Sequence, residues 1–256
     1  MNELVPTPEG SEDKEKSAVS GVIFFVLLLL VLVFAGFKSY QWLKDEQRLP
    51  VQNIVISGER QFVDDDKLRA AVHKALPGSF FDLDVDVAHE VIEARPWVYK
   101  ASVRKEWPNT LRVYVTEQQA VARWNDDLLL NTHGGSFQAV LPEGQDNLPL
   151  LYGPGGSEQT ALQGYRAMQS LLGKEGLAIE QMLLSERFAW RLTLVGGLTL
   201  NLGRTEFIDR VQRFVDLYPL LTNNERYLDY VDLRYDTGMA VGWKSDLERS
   251  KENNDV

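Results

Sequence analysis

From Ala18 to Phe37 the chain runs for twenty consecutive residues without a charge, most of them apolar, and 219 residues of mixed composition follow (256 − 37). At a rise of roughly 1.5 Å per helical residue, such a run spans about 30 Å, the thickness of a bilayer's hydrocarbon core. A cleaved secretory signal would instead show a basic start, a shorter apolar centre and a small-x-small cleavage site. Residues 1–17 hold only Lys14 and Lys16 against Glu3, Glu9, Glu12, Asp13 and Glu15, and the run leaves through Gly36-Phe37-Lys38. The pattern predicts one retained transmembrane helix over 18–37.

Without this anchor and the polar ends, roughly 190 residues remain, enough for two small cores. Cysteine is absent, which excludes disulfides and thiolate metal sites and agrees with an oxidising compartment. The net charge of −10 and the lack of a basic stripe argue against nucleic acid as a partner. Lys14 and Lys16 before the span are balanced by Lys38, Lys44 and Arg48 after it, so loop charge does not orient the chain. A short head and a large carboxyl-terminal portion favour the head inside and the domains outside.

The head, 1–17, and the tail, 245–256, combine charge with Pro, Gly and Asn and read as disordered. A juxtamembrane linker covers 38–50. Val51 to Ser57 reads as a strand ending at Gly58. Asp64 caps a helix carried by Leu68, Ala71, Val72, Ala75 and Leu76 and stopped by Pro77-Gly78. A second helix runs from Asp84 to Ala94 and ends ahead of Pro96. Strands Val98–Trp107 and Thr110–Glu117 form a hairpin, so the first module, 51–118, has the order β-α-α-β-β. The second, 119–244, is a mixed β domain. Its strands are Ala120–Trp124, Leu128–Asn131, Ile179–Ser185, Trp190–Val195 and Leu198–Leu202, with helices near Glu158–Leu172 and after Thr205. It closes on a hairpin, Leu228–Tyr235 and Met239–Trp243, turning at Asp236-Thr237-Gly238. The fold class is α+β.

Catalytic chemistry finds no foothold. His73, His89 and His133 are scattered, no HExxH or G-x-S-x-G occurs, the Gly153–Gly156 run lacks the lysine of a P-loop, and Gly173-Lys174 is followed by glutamate. Carboxylate pairs are inevitable among 37 acids and nominate no glycosidase. The Asp64-Asp65-Asp66 run is better explained by a helix's positive end than by a metal. The closing hairpin is different. Its last strand precedes a polar tail and can lie at a sheet edge, where free backbone groups invite a partner strand. Tyr235 and Trp243 then either flank that partner or fill the core.

Several blocks occur in an order that resembles the FtsQ family of bacterial cell-division proteins, of the gamma-proteobacterial type. They are SGER at Ser57–Arg60, SVRKEWP at Ser102–Pro108, ARWND at Ala122–Asp126, LPLLYGPGGS at Leu148–Ser157, LQGYR at Leu162–Arg166, LNLGR at Leu200–Arg204, RFVDLYP at Arg213–Pro219 and VDLRYDTGMAVGW at Val231–Trp243. The resemblance implies that the first module is similar to a polypeptide-transport-associated (POTRA) domain. It implies a non-catalytic, cofactor-free inner-membrane protein with its domains in the periplasm, located at the division septum. There it would hold FtsB and FtsL, single-span coiled-coil proteins, in a complex that controls the septal peptidoglycan synthase. The family's partner-binding strand corresponds to Tyr235, Asp236, Thr237, Gly238, Met239, Ala240, Val241, Gly242 and Trp243, with Arg234 beside it. An acidic residue of FtsB would meet Arg187. Two rival functions remain. A POTRA-type chaperone or translocation receptor would carry a barrel or tandem modules, and an envelope hydrolase would need converging titratable groups.

Overall fold

The computed structural model describes residues 12–43, 51–76, 79–81, 83–142, 144, 147–222 and 227–244. The tail, most of the head, the Pro77-Gly78 helix stop and the end of the linker lie outside the described residues. Helix α1, Glu12–Leu43, contains one segment, Gly21–Trp42, long and apolar enough to cross a membrane. It begins six residues inside the stretch read as a disordered head and continues past Phe37. Once an apolar helix is nucleated, each further residue adds a hydrogen bond at small entropic cost.

The chain divides into two compact units with the boundary between Glu117 and Gln118, the first including α1. In the first, β1 (Asn53–Ser57), α2 (Asp65–Ala75), α3 (Val85–Glu93), β2 (Val98–Glu106) and β3 (Thr110–Glu117) follow in the expected order. Asp64 accepts from the backbone N–H groups of Asp66 and Lys67 at 3.0 and 3.1 Å, and Asp84 from that of Asp86 at 2.9 Å. These bonds satisfy amides that a helix start otherwise leaves unpaired, and the one from Lys67 chiefly holds the Asp64 carboxyl below its usual range. The triple aspartate is therefore a helix start. β3 lies in the middle of the sheet, parallel to β1 and antiparallel to β2. Its Leu111, Val113 and Val115 face Leu68, Val72 and Ile92 in one core.

Glu117, at the end of β3, accepts the backbone N–H groups of Gln61, Phe62 and Val63 at 2.7, 2.6 and 2.7 Å. This one carboxylate ties the loop after β1 to the central strand. Glu117→Ala leaves these donors without their acceptor and is expected to destabilise this unit by about 1–3 kcal/mol. Thermal unfolding of the full chain checks this; an unchanged first transition would show that water replaces the carboxylate at no cost.

The second unit contains β4 (Ala120–Trp124), β5 (Leu128–Asn131), β6 (Ser136–Phe137), β7 (Leu150–Tyr152), α4 (Glu158–Leu172), β8 (Ile179–Leu184), β9 (Trp190–Leu194), β10 (Thr199–Gly203), α5 (Phe207–Thr222), β11 (Leu228–Asp232) and β12 (Ala240–Trp243). Nine strands form one sheet, ordered β12-β11-β10-β9-β8-β7-β4-β5-β6. Parallel steps between β7 and β8 and between β10 and β11 are made by α4 and α5, since a parallel pair needs a long crossover. Both helices pack on the sheet around Met168, Leu172, Met182, Trp190, Leu192 and Phe214. Gly164 explains the LQGYR block: a Cβ there would overlap the Trp190 ring. α5 begins two residues after Thr205, and Glu206 occupies the cap position, its carbonyl accepting from Arg210 N–H at 3.0 Å.

Candidate partner-docking edge

The site is built at β12, which ends the nine-stranded sheet among the described residues. β12 pairs antiparallel with β11 in the register Asp232↔Ala240, Val231↔Val241, Tyr230↔Gly242 and Leu228↔Trp243, with an irregularity on β11 between Leu228 and Tyr230. Lys244 N–H donates to Tyr227 O at 2.9 Å. Because an antiparallel ladder alternates, the backbone groups of Gly242 and Ala240 also turn inward, and those of Val241 and Trp243 turn to the open edge. Side chains alternate as well. Val241 packs against the core and shares its face with Trp243, while Ala240 and Gly242 occupy the opposite face. On that face Tyr230, 43 % exposed, lays its ring over Gly242, where any Cβ would overlap it.

Only four of the nine residues expected as a strand, Tyr235 to Trp243, are one. Leu233 to Met239 form an irregular segment between β11 and β12, because polar side chains hold it instead of a ladder. Asp232 accepts from Arg234: backbone N–H at 3.1 Å, Nε at 2.9 and 3.1 Å, and Nη2 at 2.6 Å. The Arg234 side-chain hydrogen bonds hold the Asp232 carboxyl below its usual range, outweighing burial. From α5, Arg213 donates Nη1 to Asp236 O at 2.7 Å and Nη2 to Leu233 O and Tyr235 O at 3.2 and 3.0 Å. Tyr235 emerges from this segment 58 % exposed, so it fills no core. Thr237 and Gly238 are exposed, Met239 packs on the core, and Ala240, Val241 and Trp243 are half-buried.

Arg187 is exposed in the turn joining β8 to β9. That turn leaves the sheet at the same end as the 233–239 segment, as the pairings Gly203↔Trp190, Asn201↔Asp232 and Asp232↔Ala240 require. Two strands intervene between β9 and β12, so the spacing is roughly 14 Å at about 4.8 Å per strand. A partner touching both Arg187 and β12 must therefore cross the end of the sheet. Tyr230 and Arg213 were not legible as site residues, since their part depends on cross-strand register and on a helix docking beside the loop. The glycine in the VGW triplet was the one signal: a strand glycine marks close approach by another group.

A β-α-α-β-β module followed by a mixed nine-stranded sheet, in a chain that also carries one helix long and apolar enough to cross a membrane, defines a two-unit α+β protein. The family descriptions agree with this division: residues 49–118 match the FtsQ-type POTRA domain and residues 122–234 the C-terminal domain of cell-division protein FtsQ/DivIB. Cell-division protein FtsQ of Shewanella oneidensis is 41% identical over 224 residues, covering 88% of this chain and 86% of that protein. The Escherichia coli K12 protein of the same name is 40% identical over 235 residues, covering 88% and 84%. That of Aliivibrio fischeri is 35% identical over 247 residues, covering 95% and 96%. The chain belongs to the FtsQ family of cell-division proteins, a non-catalytic family of the divisome. The match to the C-terminal family domain ends at Arg234, so β12 lies just beyond it.

Proposed function

We propose that this chain is a divisome scaffold whose β12 edge accepts an extended segment of FtsB. FtsL joins the same complex, and the assembly links early to late septum proteins and controls septal peptidoglycan synthesis. In this reading 1–17 stay in the cytoplasm, 18–37 cross the inner membrane, 38–50 connect, and the modules 51–118 and 119–244, with the tail 245–256, lie in the periplasm at the septum. The observation that carries the reading is that, among the described residues, no strand pairs with the outward backbone groups of Val241 and Trp243 on an edge strand flanked by an exposed Tyr235. Such an edge gains main-chain hydrogen bonds from an added strand and specificity from the side chains beside it. Arg187 would meet an acidic residue of FtsB as that partner crosses the sheet end. The direct test is binding of the FtsB periplasmic segment to the full-length chain in lipid nanodiscs; absence of a complex at high micromolar concentration would sink the reading.

Orientation has its own test, made clean by the absence of native thiols. A cysteine replacing Thr160, an exposed residue of α4, is expected to react with a membrane-impermeant maleimide once the outer membrane is permeabilised. One replacing Ser11 is expected to remain unlabelled until the inner membrane is opened. The reverse pattern would place the domains in the cytoplasm.

A further inference from the structure

We propose that Arg213 is the positioning residue of the docking edge: its guanidinium fork orders the segment leading into β12 before any partner arrives. This rests on the docking reading above. Three main-chain carbonyls, those of Leu233, Tyr235 and Asp236, converge on its two terminal nitrogens from α5. Leu233 N–H still donates to Asn201 O on β10, but among the described residues no other donor reaches these three carbonyls. The Nε of Arg213 is buried without a hydrogen-bond partner. An orphaned buried donor is a cost that a fold normally avoids, and here it accompanies a side chain aimed wholly at the loop. Neighbouring Arg210 adds to the frame: Nη1 donates to Leu202 O at 2.6 Å, and Nη2 lies 3.9 Å from Asp236 Oδ1.

The consequence is pre-organisation. A partner strand that meets an already ordered edge does not have to order it, and the saved entropy appears as affinity. Only arginine suits the task, because its planar fork reaches several acceptors in fixed directions, whereas lysine offers a single point of charge. The clamp touches no partner; it acts through the direction in which Tyr235 and β12 leave the helix.

The test compares wild type, Arg213→Ala and Arg213→Lys as full-length chains in nanodiscs, by amide hydrogen exchange and by affinity for the FtsB periplasmic segment. In Arg213→Ala the amides of Ala240 and Gly242, which the ladder turns toward β11, are expected to exchange about tenfold faster or more, while those of Met182 and Leu192 stay within about twofold of wild type. Affinity is expected to fall about tenfold, and Arg213→Lys to recover less than half of that loss on a logarithmic scale. Unchanged exchange at Ala240 and Gly242, or binding within about threefold of wild type by Arg213→Ala, would overturn the proposal. Full rescue by lysine would overturn it too, since charge alone would then suffice. If Arg213→Ala also loses protection at Leu192, the alanine variant has unfolded and Arg213→Lys decides by the same two readouts. A wild-type chain that binds nothing removes the docking reading itself, an outcome distinct from equal binding by all three chains.

Discussion

Tyr235→Ala and Trp243→Ala are each expected to weaken binding of the FtsB periplasmic segment about thirtyfold, with little change in melting temperature. Aromatic anchors at interface centres commonly cost about 2 kcal/mol or more when truncated. Tyr235 stands clear of the core, and Trp243 lies on the last residue of the edge strand, half-buried. Titration binding and thermal unfolding of the same preparations check this. Wild-type affinity in both variants would remove the aromatic anchors from the interface. Unfolding of both would return them to the core.

Val241→Pro is expected to have the larger effect, a loss on the order of hundredfold or about 3 kcal/mol, while the domain stays folded. The amide of Val241 points away from β11, so proline there removes the donor that an added strand requires without breaking the existing ladder. Proline is tolerated on edge strands for this reason. Val241→Ala keeps the amide and trims the side chain, and is expected to bind far more tightly than the proline variant. Equal binding by both would show that the partner does not extend the sheet at β12.

Much of this architecture was readable from local pattern. Asp64 announces a helix start by its reach to the following amides, and the apolar spacing in α5 marks the face it turns to the sheet. The alternation in Thr110–Glu117 predicts a strand with one buried face, and Leu111, Val113 and Val115 are buried. β6 and β7 leave no periodic signal, because two or three residues are too few for a period to show. Yet β7 sits between β4 and β8 and joins the two halves of the nine-stranded sheet.

For the proposed docking edge, the sequence by itself determined the ingredients: a terminal β-rich segment, its aromatics, its glycines and a pattern shared with the FtsQ family. The tertiary structure decided that β12 has one neighbour among the described residues, that only Ala240–Trp243 of the segment is strand, and that Tyr235 faces water. It also decided that Arg187 and β12 share a sheet end across two intervening strands. The physical reason is that propensity and periodicity act over a few neighbouring residues. An edge exists only relative to the whole sheet, and the Arg213 fork exists only once α5 has docked twenty to twenty-three residues away from the carbonyls it collects.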